Sequence, residues 1–131
     1  MGGELNLDTL LKSMNPELAE DPYVFAQFVN EILPGINYWA LIKEDEGTTA
    51  ILTVNEARRL GMEIHNTYGR ITLKIHSSLD AVGLTAAIAT ALAKRSISAN
   101  VVAGYYHDHF FVPSEKADEA LEVLKELAKE G

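Results

Sequence analysis

The chain of 131 residues has no cysteine, one tryptophan and four prolines, and its 11 Lys and Arg are outnumbered by 19 Asp and Glu. Without Cys there is no disulfide framework, no thiolate nucleophile and no Cys-based zinc site. The scarcity of basic residues leaves a formal net charge of −8. Nucleic acid needs a basic stripe to bind its phosphates, and an anionic membrane needs a basic face, so neither is an expected partner. No apolar run approaches the ~18 residues of a membrane span. The opening Met1-Gly2-Gly3-Glu4 is not expected to be a signal peptide, and the expected location is the cytoplasm. Glycine is too scattered for a phosphate loop: neither Gly2-Gly3 nor Gly83 belongs to a glycine fingerprint. A G-x-S-x-G nucleophile elbow is also missing. Paired carboxylates occur only in solvated runs such as Glu44-Asp45-Glu46, which read as a loop rather than a glycosidase pair. No cofactor is expected and no catalytic constellation stands out. What remains is an ordinary globular composition, 47% hydrophobic and 23% charged. A chain of this size buries roughly 68% of its extended surface, enough to fold without a metal.

The clearest strand is Tyr68 to Ile75. Ile71, Leu73 and Ile75 alternate with Arg70, Thr72 and Lys74, giving one apolar and one polar face. Such alternation fits a sheet covered on one side. A polar loop from Ser77 to Gly83 follows, and then a helix from Leu84 to Ala93. Leu84, Ile88, Ala91 and Leu92 recur at helical spacing in an Ala-rich segment. Asp80 or Ser78 is the expected cap. Strands follow at Ala99 to Gly104 and His109 to Val112. Pro113 ends the second, and Ser114 is expected to cap a last helix with Ala117, Leu121, Leu124, Leu127 and Ala128 on its apolar face. The order β-α-β-β-α is the split arrangement of a ferredoxin-like module without its final strand. An open sheet edge invites aggregation. A strand of the first half, most plainly Tyr23 to Phe28 or the residues around Ile64, is therefore expected to complete or extend that sheet.

The first half is less regular. A short amphipathic helix from Leu5 to Met14 ends at Asn15-Pro16. Pro22 opens a strand, Tyr23 to Phe28, and Leu33-Pro34-Gly35 reads as a turn. Tyr38 to Lys43 and Thr49 to Val54 form a hairpin around Glu44 to Gly47. Asn55 is the expected cap of a short helix that Gly61 terminates. Hairpin and capped helix thus occur twice at one offset, with Asn55-Glu56 matching Ser114-Glu115 and Ala40 matching Ala99. This predicts two related modules, residues 1–64 and 65–131, the first with its early helix shrunken into Val29 to Asn37.

Two stretches carry candidate chemistry. Ser77 to Thr85 is a strand-to-helix loop with an acid, a glycine and hydroxyls. Free N–H groups at a helix start attract a carboxylate, Gly83 permits close approach, and Asp80 can hold an ammonium group. An amino acid carries both charges. The plainer reading is a capped helix start with a glycine for tight packing. In Gly104-Tyr105-Tyr106-His107-Asp108-His109, His107 and His109 share a face in an extended chain, as a metal pair would. The alternative is a polar hairpin turn whose His side chains make hydrogen bonds. A triad of Ser77 or Ser78 with His107 and Asp108 fails on geometry, because adjacent strand residues point apart. Tyr38, Trp39, Phe25 and Phe28 read as core or interface anchors rather than a ligand cage. Arg58-Arg59 reads as a solvated helix end.

The run that opens Ser77-Ser78-Leu79-Asp80-Ala81-Val82-Gly83-Leu84-Thr85-Ala86-Ala87 and closes Asn100-Val101-Val102-Ala103-Gly104-Tyr105-Tyr106-His107-Asp108-His109-Phe110-Phe111-Val112-Pro113 carries a resemblance. Leu7-Asp8-Thr9-Leu10-Leu11-Lys12-Ser13-Met14-Asn15-Pro16 and Pro22-Tyr23-Val24-Phe25 extend it over nearly the whole chain. The sequence resembles small bacterial proteins built from tandem ACT-like domains, mostly of unassigned function. It is similar, more distantly, to tandem ACT amino-acid sensors and the regulatory domains of aspartate kinases. Ser96 stands where that family commonly has Gly, and Ala26 and Ala99 where Cys is often seen.

The resemblance implies an α+β, ferredoxin-like fold: two tandem ACT-like modules, antiparallel sheets covered by helices on one face. It implies amino-acid binding at the loop between a module's first strand and first helix, often across an interface. Residue by residue this points to Asp80, Ala81, Val82, Gly83, Leu84 and Thr85, with Asn100 and Val101 on the adjacent strand. The expected function is a non-catalytic regulatory protein that binds an amino acid or similar small molecule and forms a homodimer. The alternatives are an assembly module without a ligand, or a metal-binding protein built on His107 and His109.

Overall fold

The computed structural model describes residues 6–30, 34–75 and 83–130. The chain forms two compact units. Glu20–Tyr68 make the N-terminal unit; the described residues of Met1–Ala19 and Gly69–Gly131 make the C-terminal one. The expected modules 1–64 and 65–131 follow the chain, whereas the compact units do not, because the first segment packs with the last.

The C-terminal unit begins with α1 (Leu7–Lys12) and β1 (Pro16–Leu18). The Asn6 side chain accepts from Thr9 N–H at 3.0 Å and caps α1. The unit continues with β5 (Tyr68–Leu73, whose first residue belongs to the other unit), α3 (Leu84–Ala93), β6 (Asn100–Ala103), β7 (Asp108–Pro113) and α4 (Ala117–Glu130). The sheet order is β1-β5-β7-β6. The strand that completes the sheet is β1, antiparallel to β5 with Pro16 opposite Leu73 and Leu18 opposite Ile71. A first-half strand, β1, thus fills the gap, and the predicted strand Tyr23 to Phe28 pairs with the start of β5 through Tyr23 and Tyr68; the Ile64 region forms no strand. A three-residue strand is too short for alternation to reveal it.

Ile71, Leu73, Phe110 and Val112 turn one sheet face toward α1, α3 and α4, where Leu10, Met14, Leu84, Ile88, Leu92 and Leu124 complete the core. Leu10 and Met14 are fully buried. Burying a side chain of that size stabilises by about 1.5–3 kcal/mol. Gly69 faces the start of α4 so closely that a Cβ there would lie 2.7 Å from the Cβ of Ala117 and 3.2 Å from Leu18 Cδ1. Helix α3 has the predicted limits. It ends with Ile97 N–H donating to Leu92 C=O (3.0 Å) and Ser96 N–H to Ala93 C=O (2.9 Å). Ser96 is left-handed at φ 59°, which is why glycine suits this position. Ser114 opens a 3-10 turn, Ser114–Lys116, that leads into α4.

The N-terminal unit contains β2 (Tyr23–Phe28), β3 (Ala40–Glu44), β4 (Gly47–Thr53) and α2 (Val54–Arg59). β4 pairs antiparallel with both β2 and β3, and Tyr23 pairs with Tyr68 on the other side of β2. The order β3-β4-β2-Tyr68 repeats β6-β7-β5-β1 of the other unit, so both are ferredoxin-like. Val24, Ala26, Ala50 and Leu52 pack under α2 through Val54 and Ala57. No helix occurs among the described residues of 29–39. The cap of α2 is Thr53, whose Oγ1 accepts from Glu56 N–H at 3.1 Å, not Asn55.

Candidate functional site

The loop of interest joins β5 to α3. Asp80, Ala81 and Val82 lie outside the described residues, as do Ser77, Ser78 and His76. Gly83 occupies the cap position of α3 at φ 94° and ψ −14°, so no side chain caps the helix from there. α1 and α2 differ: Asn6 and Thr53 each satisfy an orphan N–H. They also carry an acid in their first turns, Asp8 and Glu56, whereas α3 has none. Among the described residues no side chain caps this helix start and no acid lies in its first turn; N–H donors and the positive dipole end at such a start attract an anion.

Gly83 has a second role. A Cβ there would lie 3.3 Å from Leu7 Cδ2, and a side chain at this φ is strained in any case. The close approach that glycine permits is therefore to α1, and a substitution at Gly83 disturbs the fold before it tests a ligand. Leu84 is buried in the core, while Thr85 is exposed at the helix start.

Asn100 and Val101 do not join this group. Val101 pairs with Phe110, a core residue under the helices, so Asn100, opposite Phe111, points to the other sheet face. Asn100 also follows the C-terminal end of α3, and ten helical residues span about 15 Å. Neighbouring strands share a sheet without their residues reaching the same helix end.

His107 and His109 do turn toward one strand, β5. His107 Nδ1–H donates to Ile75 C=O at 3.3 Å. His109 Nδ1 lies 2.8 Å from Thr72 Oγ1, which also accepts from Arg70 Nη1. Burial, with Arg70, His107 and Lys74 nearby, pushes His109 down to about 4, so its ring is neutral at pH 7. Burial pushes the Asp108 carboxyl up, opposed by His107. His65 pairs with exposed Glu63 at 3.3 Å in the N-terminal unit. No group of three His, Asp or Glu positioned to hold a metal occurs among the described residues.

The N-terminal unit holds features that sequence reading missed. Arg59 ends α2 at 57% exposure, a solvated helix end as expected, and it is also paired. Its Nε and Nη2 donate to the Glu56 carboxylate at 2.8 and 2.6 Å, and Nη2 also reaches Gly35 C=O at 3.0 Å. Glu56 Oε2 accepts from Asn37 N–H at 2.8 Å, tying the loop between β2 and β3 to α2. The Arg59 bond, then the Asn37 bond, hold the Glu56 carboxyl at about 2. The i, i+3 spacing of Glu56 and Arg59 was the available signal. A cleft of about 260 Å³ is lined by Phe25, Met62, Glu63, His65 and Tyr68 among others, and a second of about 190 Å³ by Tyr23, Asn37, Tyr38, Trp39 and Thr53.

Two stretches match models of the ACT domain, residues 2–69 and residues 67–126. A Vibrio cholerae protein of unknown function, described as a possible transport protein, is 48% identical; the match covers 89% of this chain and 92% of that one, with a TM-score of 0.79. The aspartokinase alpha and beta subunits are similar in fold at 12% identity, over 86% of this chain and 96% of that one, with a TM-score of 0.58. The aspartate kinase of Clostridium acetobutylicum, an allosteric enzyme, matches at 10% identity over 74% of this chain and 26% of its own, with a TM-score of 0.55. No curated protein matches the chain. No helix among the described residues is long and apolar enough to cross a membrane. With the same strand order in both units and a family match over each half, the chain belongs to the ACT domain family.

Proposed function

We propose that this protein is a non-catalytic regulatory module that binds an amino acid at the loop between β5 and α3. The observation that carries the reading is the start of α3, with Gly83 at the cap position and, among the described residues, no side-chain cap and no acid in its first turn. A ligand carboxylate accepts from the N–H groups of that turn, and Asp80 pairs with the α-ammonium group. Thr85, exposed beside them, supplies a hydroxyl. Asn100 and Val101 have no part in this site. The fold likeness to aspartate kinase, an allosteric enzyme, supports a regulatory role. The protein works in the cytoplasm as a homodimer. The β6 edge, paired only with β7 and carrying Val101 at 37% exposure, supports association.

The test is a thermal-shift screen against the standard amino acids, followed by calorimetric titration of the hit. A ligand at 100 times its Kd adds roughly 2.7 kcal/mol to stability. Asp80→Ala and Thr85→Ala should weaken binding in folded protein. Full affinity in both variants places the site elsewhere. Light scattering at tens of micromolar tests the dimer, and a mass near 14.4 kDa refutes it.

A further inference from the structure

The smaller cleft of the N-terminal unit has a composition that a mere packing defect does not explain. Three of its five lining residues, Tyr23, Tyr38 and Trp39, are aromatic, and the other two are Asn37 and Thr53. The rings of Tyr23 and Trp39 meet edge to face, centroids 6.3 Å apart and planes at 69°. They therefore form two walls at a steep angle rather than a stack. Tyr38 is 48% exposed, so its ring is placed at the mouth and not in the core.

The walls are held before any ligand arrives. Trp39 N–H donates to Ile51 C=O at 2.7 Å, fixing that residue to β4. Tyr23 is buried and paired within the sheet. Asn37 is tied through its N–H to Glu56. Thr53 Oγ1 accepts from Glu56 N–H, which leaves its O–H as a donor.

The chemistry of the lining selects the occupant. Aromatic faces carry negative potential and attract cations. No Lys or Arg lines the cleft, and the net charge of −8 draws cations toward the protein. A bare ammonium ion gives up strong hydration on entering such a site. A methylated ammonium is larger, poorly hydrated and matched to ring faces. A cleft of about 190 Å³ has room for one of choline's size. We propose that this cleft binds a free methylated ammonium compound, its cationic head against Tyr23, Tyr38 and Trp39 and its polar end toward Asn37 and Thr53. The site is independent of the proposed amino-acid site, and either proposal can fail alone.

Trp39 is the sole tryptophan, so its fluorescence reports on the cleft directly. The whole protein is titrated with choline, and with 3,3-dimethylbutan-1-ol, the neutral isostere in which carbon replaces nitrogen. Choline should change the fluorescence saturably, and the isostere should bind about fivefold more weakly or worse. Tyr38→Leu keeps apolar bulk at an exposed position and removes the ring. It should lose about fivefold in choline affinity, while Tyr38→Phe retains it. Titration of any amino acid found in the screen should be unaffected by Tyr38→Leu. A non-saturating response, equal binding of the isostere, or full choline affinity in folded Tyr38→Leu overturns the proposal.

Discussion

The Thr72 hydroxyl stands between two side chains, accepting from Arg70 Nη1 and lying 2.8 Å from Nδ1 of His109. In the neutral ring Nδ1 either accepts from the Thr72 O–H or donates to its oxygen, which has a second lone pair. Protonating His109 would place a charge in a half-buried site with Arg70, His107 and Lys74 close by. The folded protein holds His109 at about 4, against 6.5 for the free side chain. Between those values the unfolded chain binds more protons, so stability falls as pH drops from 6.5 toward 4. Discounted for partial solvation, the loss is about 1–2 kcal/mol. Asp108 is shifted upward and opposes this trend at the acid end of the window. Urea midpoints from pH 7.5 to 4.5 should fall more steeply for the native protein than for His109→Gln. Parallel curves would exclude His109 as the source.

Ser96 adopts φ 59° at the end of α3. A residue with a Cβ is disfavoured there by roughly 1–2 kcal/mol, partly offset because glycine also gains freedom in the unfolded chain. Ser96→Gly should therefore raise stability by about 0.5–1 kcal/mol. Equilibrium denaturation checks it, and a lower midpoint would mean that the Ser96 side chain makes a contact worth more than the strain.

Gly69 is required by Ala117. The 2.7 Å separation that a Cβ would have forces β5 and α4 apart. Gly69→Ala should cost about 1–3 kcal/mol. Adding Ala117→Gly removes the opposing methyl group, so the double variant should be more stable than additivity of the two single changes predicts. A coupling of zero in that cycle would show that the two positions do not touch.

Glu56 holds the loop between β2 and β3 through Asn37 N–H while Arg59 reaches Gly35 C=O. Glu56→Ala frees both ends of this link. Hydrogen exchange at the Asn37 amide should speed up markedly in the variant. The native protein should keep that protection as pH falls below 4.5, losing it only as pH approaches the folded value of about 2. An Asn37 amide that exchanges equally fast in both proteins would show that the loop is held by something else.

Some of this architecture was readable from residue order. Helix α3 declares itself through Leu84, Ile88 and Leu92 in an Ala-rich run, where local propensity and burial agree. β5 shows its two faces by strict alternation. β1 gives no such signal, because a strand of three residues beginning with Pro16 is defined by its partner, not by its own pattern. The resemblance groups Asn100 with Gly83, but a resemblance carries no strand register. The pairing of Val101 with Phe110 shows that register decides the face, and register is a long-range property. The Glu56–Arg59 spacing is local, but its Gly35 and Asn37 partners lie across a loop. The aromatic cleft likewise joins residues from β2, the β2–β3 loop and the end of β4, which no window along the chain would group.

The pairing of Pro16 with Leu73 also orders events in time. During synthesis α1 and β1 leave the ribosome well ahead of β5, their sheet partner, which emerges only after the whole of Glu20–Tyr68 has been made. Until then Leu10 and Met14 have no core to enter, and a nascent apolar segment is open to chaperones or to another chain. Closing so distant a contact is slow compared with forming the hairpin of β3 and β4. Segments translated before the inserted unit are therefore fixed after it, and the exposed interval is set by that unit's length.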